Sequence, residues 1–579
     1  MNGFFKKVWG EAVAFLDRSR KIGWIDVLVS LGLAGIFFAV IGLAKNWAGQ
    51  SRPSIEIHLA PLFLAQYTFF SLSRGLIAYG LSLTFSLVYG FWAAKDKLAG
   101  KILLPLLDIL QSIPVLGFMP GLVLALAHLF PSRNIGLELA AIIMIFTGQA
   151  WNMTFSFYQS LRSIPQDLNE VAAAYQLNWW QRLRWLEIPF SMVGLVWNSM
   201  MSMAGGWFFL MINESFVLGG KDFRLPGIGS YMSVAVAQGN VPAMISAVFA
   251  MVLMILILDQ CLWRPVVVWA QKFRVEEGGY SEVMSSWVLN LFRQTQLFRW
   301  GKRIRKRYSI TQPPFPKKEA EVSVKNSPSF LSKFFSVAIF FLLITILSFG
   351  AWKLVLIIRS VSWRVWLGIF FAAFLTLSRV LLATAIGTLW AVPAGLEIGL
   401  SPRLSRIFQP VVQVAASFPA PMLFPVIIAG FHFLNVPLGW GSIILMLLGT
   451  QWYILFNVIA GAMAIPADLK EAADSYRIQG WQRFIHVYLP AVFPYLVTGW
   501  VTAAGGAWNA SIVSEYVTFK SHLFTTWGLG AHISRAAERA DFPALAAGVL
   551  VMSSVVILFN RTVWRSCYQL AERRFSLNK

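Results

Sequence analysis

The stretch "EAADSYRIQGWQRFIHVYLP" occupies residues 471–490, and a second copy of its pattern, "EVAAAYQLNWWQRLRWLEIP", occupies residues 170–189. Each copy is a short charged passage set between two long apolar runs. A chain that writes such a passage twice, in equivalent places, is built from a repeated unit that crosses an apolar medium and returns to water at a defined point.

Composition agrees. Hydrophobic residues make up 57% and charged residues 13%, and the mean hydropathy is +0.64. A soluble fold of this composition would have nowhere to bury its apolar surface. The fold class is therefore an all-α polytopic membrane protein. A bilayer core takes roughly 20 apolar residues per helix, and runs of that length recur near 24–44, 66–94, 103–130, 135–159, 187–213 and 241–270. A second series lies near 334–357, 364–393, 408–433, 437–463, 488–512 and 542–566. That makes about twelve transmembrane helices.

Basic residues near short loops stay on the cytoplasmic side. Lys6, Lys7, Arg18, Arg20 and Lys21 precede the first run, which is too long for a signal-peptide core and reads as an uncleaved helix. The N-terminus is thus expected inside. Counting onward, the loop with Lys95, Lys97 and Lys101, the Glu170 segment, the linker, the Arg403/Arg406 loop, the Glu471 segment and the Arg573/Arg574 tail also fall inside. Both termini are expected on the cytoplasmic side of the membrane. The net charge of +22 follows from this bias and from contact with anionic lipid head groups, so no nucleic-acid partner is expected. Cys261 and Cys567 offer no disulfide framework, and the six histidines are scattered, so no metal site is expected.

Sliding the sequence on itself pairs Glu170 with Glu471, Trp151 with Trp452, Pro165 with Pro466, Pro189 with Pro490 and Gly227 with Gly528, each 301 residues apart. Ahead of Trp151 the spacing is 305, as in Pro114 with Pro419. The expected organisation is a membrane domain over 1–270, a basic cytoplasmic linker over 271–333 containing "RWGKRIRKRYSITQPPFPKKEAE", and a second membrane domain over 334–579. Each half crosses an even number of times, so the repeats are parallel, unlike inverted-repeat transporters. A path across the membrane would lie between the halves.

The doubled segment reads as a helix starting at Pro466, with Asp468 and Glu471 near its positive end. Ala472 and Ala473, like Ala172 and Ala173, would present a small-residue face to a partner, with Arg483 and Phe484 as a second contact. Glu-Ala-Ala at the start and Leu489-Pro490 at the end resemble the signature of binding-protein-dependent ABC importer permeases. "SLSRGL" and "TLSRVL", "QSIPVLGFMP" and "ASFPAPMLFP", "AGGWFFLMINES" and "AGGAWNASIVSE", and "PGIGSYM" and "WGLGAHI" resemble the branch of that family handling nitrate, sulfonate, taurine and bicarbonate.

The resemblance implies two parallel type I importer permease domains fused in one chain. It also implies coupling helices, carrying Glu170, Ala172, Ala173, Pro189, Glu471, Ala472, Ala473, Gly480 and Pro490, that dock on two cytoplasmic ABC ATPase subunits. A separate periplasmic or lipid-anchored solute-binding protein would deliver the cargo. The family usually has glycine at the seventh position of the segment, where Gln176 and Arg477 stand, so the turn is expected elsewhere, in the second copy at Gly480.

No G-x-x-x-x-G-K-[ST] occurs, so no cofactor is expected in this chain, and ATP with Mg would sit on a partner. The chain itself is not expected to be an enzyme, since no catalytic cluster stands at suggestive spacing. For the translocation path the candidates are Arg74 and Arg379, placed about two turns inside their helices, with Glu214, Glu515, Trp151 and Trp452. The arginines could draw an anion to the interface, or the glutamates could neutralise them. Trp207 and Trp508 are symmetric aromatics, and Gly205-Gly206 and Gly505-Gly506 suggest close helix approach. The rival to an ATP-driven importer is an ion-gradient-driven transporter or channel.

Overall fold

A computed structural model describes residues 55–131, 134–218, 221–273, 286–294, 330–519 and 522–575, together with Gly35 and Trp47. Apart from Gly35, the first expected span, 24–44, and the basic run at 299–321 lie outside the described residues.

The first half consists of α1 (Pro61–Lys95), α2 (Lys97–Ser112), α3 (Val115–Leu129), α4 (Ile135–Arg162), the short α5 (Gln166–Ala174) and the long α6 (Trp179–Asn213). A hairpin of β1 (Ser215–Leu218) and β2 (Lys221–Arg224) leads to α7 (Ile228–Ala237) and α8 (Val241–Phe273). One linker helix, α9 (Trp287–Gln294), is described.

The second half repeats the series. It runs α10 (Phe330–Ile358), α11 (Trp363–Leu400), α12 (Pro402–Ser417), α13 (Ala420–Phe433), α14 (Leu438–Met463), α15 (Ala467–Ser475) and α16 (Gly480–Ser514). The hairpin β3 (Tyr516–Phe519) and β4 (His522–Thr525) then leads to α17 (Leu529–Glu538) and α18 (Phe542–Ala571). Among the described residues, eight helices are long and apolar enough to cross a membrane, or ten if each bent pair is one span. The 29-residue α10 covers the seventh expected span. The chain is a nearly all-α polytopic membrane protein.

Two expected spans, 103–130 and 408–433, are broken rather than straight. α2 meets α3 at 93°, and α12 meets α13 at 81°. Pro114 and Pro419 cause this: each holds an extended backbone (ψ 122° and 112°) just before the second helix, and the residue before a proline is pushed out of the helical region. Apolar composition continues across both bends, so hydropathy alone reads one span.

Two other features recur in both halves. The connections after α6 and α16 are antiparallel hairpins, with Phe216 paired to Phe223 and Val517 to Phe524. Pro189 and Pro490 lie in the first turn of the regular helical stretches Ile188–Asn213 and Leu489–Ser514, where a missing N–H costs little. α6 and α16 run through them, because a wide π-type turn at Leu183–Glu187 and Phe484–Tyr488 absorbs the missing N–H and the ring.

The described chain separates into two compact units, one holding 164–193 with 257–324 and the other holding 48–163, 194–256 and 325–579. The larger unit therefore takes membrane helices from both halves. Within it, small residues let helices close up, as packing in lipid requires. A Cβ added at Gly395 on α11 would lie 2.7 Å from Val458 of α14. Gly205 of α6 and its counterpart Gly506 of α16 both face α14: a Cβ at Gly205 would lie 3.3 Å from Tyr453 Oη, and one at Gly506 3.2 Å from Thr450. In the first half Ser86 of α1 meets Thr154 of α4 at 2.9 Å.

The halves join directly in this unit. The Val115 amide donates to Asn509 Oδ1 at 2.8 Å, and Asn560 Nδ2 donates to Ser112 Oγ at 3.3 Å.

Candidate functional site

Arg74 lies roughly four turns into α1, because that helix starts at Pro61 rather than near residue 66. Its side chain is fully buried. Nε and Nη2 donate to Glu138 at 2.5 and 2.7 Å, and Nη1 donates to Glu214 Oε1 at 2.6 Å. Glu214 Oε1 also accepts from Ser71 Oγ at 2.6 Å, while Oε2 accepts from the Gly229 amide at 2.7 Å. Ser71 Oγ in turn accepts from the Ile228 amide at 2.9 Å. The carboxylate and the hydroxyl thus satisfy the first amides of α7, which have no partner within the helix and sit at its positive end.

The second half repeats this latch. Arg379 Nη1 and Thr376 Oγ1 donate to Glu515 Oε1 at 2.7 and 2.8 Å. The Gly530 amide donates to Glu515 Oε2 at 2.9 Å, and the Leu529 amide to Thr376 Oγ1 at 2.8 Å. The copies differ at one point. The 301-residue spacing holds back through α4 and α14 as far as Asn134 and Asn435, which puts Gly439 opposite Glu138, and Arg379 Nη2 donates to Thr526 Oγ1 at 3.1 Å instead. Arg74 therefore holds two carboxylates, while Arg379 holds one and keeps its side chain 12% exposed.

Gly227 and Gly528 begin the latched helices. Both are in extended backbone that any residue adopts, and they are needed for space, since a Cβ at either would run into the Glu214 or Glu515 carboxylate.

The doubled charged segments form α5 and α15, each starting one residue after its proline, which serves as N-cap. Each ends in a Schellman turn. Gln176 N donates to Ala173 O at 2.9 Å and Leu177 N to Ala172 O at 3.1 Å; Arg477 N donates to Asp474 O at 3.0 Å and Ile478 N to Ala473 O at 2.9 Å. Gln176 (φ 49°) and Arg477 (φ 55°) occupy the left-handed position themselves. The turn expected elsewhere is thus made at the seventh position without glycine, and Gly480 (φ 56°) adds a further left-handed residue in the second copy.

The alanines do not share one face. Ala172 and Ala473 are buried, while Ala173 and Ala472 are exposed, as successive residues about 100° apart on a helix must be. The exposed surface is carried by Glu170, Tyr175, Trp179 and Trp180 in the first copy. In the second it is Glu471, Tyr476 (81% exposed) and Trp481.

Arg483, expected to face a partner, turns inward. It donates to Asp474 at 2.5 Å and to the Lys470 carbonyl at 3.3 Å, bracing α15 against the start of α16. Arg182 does the same in the first copy, through Asn169 and through Glu187 at 3.0 Å. Sequence reading passed over Arg182, although the shared Gln-Arg of "WWQRL" and "GWQRF" marked it. It also passed over Glu138, which has no counterpart in the second half.

A cavity lies between the halves in the larger unit. Trp197, Met200, Met201 and Ala204 of α6 form one wall. Gly449, Trp452, Tyr453 and Phe456 of α14 form another at the same helical spacing, and Gln413, Ala416 and Ser417 of α12 complete it. Trp452 is thus in the lining, whereas Trp151 packs edge-on against Phe85. Arg74, Arg379, Glu214 and Glu515 are not among the lining residues.

The model of one protein family, described as "binding-protein-dependent transport system inner membrane component", matches residues 86–262 and again 383–575. The chain belongs to that family, and carries its domain twice. Among curated relatives, the bicarbonate transport system permease protein CmpB of Synechococcus elongatus is 26% identical over 196 residues, 34% of this chain and 67% of the relative. The nitrate import permease protein NrtB of Leptolyngbya laminosa is 27% identical over 151 residues, 26% of this chain and 53% of the relative. The taurine transport system permease protein TauC of Escherichia coli is 24% identical over 183 residues, 32% of this chain and 63% of the relative. Each alignment spans between a quarter and about a third of this chain, as a match within one repeat does. The duplicated permease is thus similar to importer permeases of the anion branch, in agreement with the motifs.

Proposed function

We propose that this chain is the complete membrane channel of an ATP-driven ABC importer, with both permease domains fused, moving a small solute between its halves. The single observation that carries the reading is the doubled α5/α15 element. Each copy is a short helix with an exposed acidic and aromatic face, closed by a Schellman turn and braced by an inward arginine. Two such rigid knobs suit two cytoplasmic ATPase subunits, with Glu170 and Glu471 at the docking faces and Ala172, Ala473, Pro189 and Pro490 fixing their shape. ATP and Mg bind to those subunits and not to this chain. The names of the relatives support a small anion such as bicarbonate, nitrate or taurine as cargo, delivered by a solute-binding protein.

In this reading α5, α15 and both termini face the cytoplasm, and the Arg74/Glu214 and Arg379/Glu515 latches lie toward the outer side. Arg74 and Arg379, neutralised by carboxylates, act in this reading as clamps that hold α7 and α17, and not as free anion attractors. The test is uptake in proteoliposomes. Uptake that requires the co-reconstituted ATPase and ATP supports the proposal. Uptake by this chain alone, driven by an imposed ion gradient, overturns it in favour of a secondary transporter or channel.

A further inference from the structure

The two latches differ along one edge of the arginine. In the first half Nε and Nη2 of Arg74 hold the two oxygens of the Glu138 carboxylate, the paired geometry a guanidinium favours. In the second half Arg379 Nη1 still holds Glu515, but Nη2 reaches the neutral Thr526 hydroxyl and Nε has no partner among the described residues. Two substitutions make this difference, and both lie at that edge. Glu138 gives way to Gly439, where an added Cβ would stand 3.9 Å from Arg379 Nη2 and 3.5 Å from Thr526 Oγ1. Leu225 gives way to Thr526, 301 residues on. The first edge is closed, with Glu138 and Leu225 both buried. The second reaches the surface: Gly439 and Thr526 are half-buried, and Trp440 and Trp527 next to them are exposed. Gly439 is also the second residue of α14, whose N-cap Pro437 brings no side-chain cap, so the positive end of that helix stands at the same edge.

We propose that this edge is an anion site, in which Arg379 Nε and Nη2, the Thr526 hydroxyl and the start of α14 take an oxyanion in the place that Glu138 fills in the first half. The guanidinium edge binds two oxygens through parallel N–H···O bonds, and the hydroxyl, which accepts from Nη2, keeps its own proton to donate to the same ligand. The oxyanion comes from outside the chain, as a small free carboxylate or as the phosphate of an anionic lipid. It is not the cargo: Arg379 belongs to the latch inside the second half and is not among the residues lining the cavity between the halves. Once bound, it ties α11 to the start of α14, as Glu138 ties α1 to α4, and firms the arginine that clamps α17. The second latch thus tightens with the anion around it, and the first, which carries its own carboxylate, does not.

The test is thermal unfolding of the full chain in nanodiscs of zwitterionic lipid, titrated with sodium formate against sodium chloride at equal ionic strength. Formate, a carboxylate with no side chain, should raise the midpoint by a few degrees along a saturating curve, as a ligand of the native state does. Gly439→Glu supplies the carboxylate from the chain; it should raise the midpoint in chloride and abolish the formate increment. Glu138→Gly opens the first edge; it should lower the midpoint and regain part of the loss in formate. Nanodiscs containing phosphatidylglycerol separate the two sources. A wild-type midpoint already raised there, with no further formate increment and no such rise in Gly439→Glu, assigns the site to lipid phosphate; a formate increment that persists there assigns it to a free ion. Should Gly439→Glu fail to fold, Thr526→Leu, which copies Leu225, carries the test and should abolish the increment. No increment from formate or from phosphatidylglycerol, or an increment of full size in Gly439→Glu or Thr526→Leu, would overturn the inference, and so would a folded Glu138→Gly variant that formate does not rescue. The importer reading rests on ATP-dependent uptake and stands or falls separately from these midpoints.

Discussion

Arg74 and Glu214, 140 residues apart in the chain, meet at 2.6 Å inside the first half with both side chains out of solvent. The pair ties α1 to the start of α7, and Glu138 adds a second carboxylate to the same guanidinium. In the second half Arg379 has Glu515 alone and is partly exposed. Removing one member of a buried pair leaves its partner uncompensated, at a cost of about 3–5 kcal/mol. Arg74→Met, which strands two carboxylates, should therefore lower the unfolding midpoint more than Arg379→Met. Arg74→Met combined with Glu214→Gln should recover part of the loss. Thermal unfolding in nanodiscs checks this, and equal losses for the two single variants would contradict the asymmetry.

Gly528→Ala and Gly227→Ala should each destabilise the chain by a few kcal/mol, on the order of an overpacked core, because the new methyl meets the latch carboxylate. Backbone conformation is no obstacle at either position. Gly505→Ala, which faces open space, should be silent. Melting curves of the three variants decide the matter: if Gly505→Ala costs as much as the others, crowding at the latch is not the cause.

Arg477 holds a left-handed backbone that L-residues with a Cβ adopt at a cost of about 1–2 kcal/mol. Arg477→Gly should leave stability unchanged or slightly raised, since the relief offsets the entropy that glycine adds to the unfolded chain. Arg477→Val should destabilise the end of α15 and lower recovery of the bound ATPase. Limited proteolysis at 467–480 reports the first effect and affinity purification the second; equal behaviour of the two variants would show that the turn carries no strain.

Much of this architecture was legible because it is written twice. The paired segments at Glu170 and Glu471, the matched Ser-Arg pairs and the paired prolines fixed the repeat and the location of the knobs. What escaped was whatever lacks a copy or mimics an ordinary pattern. Glu138 has Gly439 opposite it, so a search by symmetry passes over it. The bends at Pro114 and Pro419 interrupt no apolar run. The cavity walls on α6 and α14 have the spacing of any packed helix face, and nothing in Trp197 or Tyr453 alone distinguishes a lined space from a filled one. The face of α15 was misread because Ala472 and Ala473 are adjacent in sequence yet point in different directions.

Arg483→Gln should loosen α15 from α16 without unfolding the membrane helices, because its ion pair with Asp474 is partly exposed and worth about 1 kcal/mol or less. The expected outcome is an unchanged melting temperature with reduced coupling, read as ATP hydrolysed per solute taken up. A variant that melts early but couples normally would place Arg483 in the general stability of the fold instead.

The most direct measurement of the central claim is gentle solubilisation of the chain from its native membranes, with identification of what co-purifies, comparing wild type with the Glu170→Lys/Glu471→Lys double variant. A P-loop ATPase held by the wild type and lost from a folded double variant is the result expected of two coupling knobs. A folded wild-type chain that comes out without an ATPase, or a double variant that retains one, would contradict it.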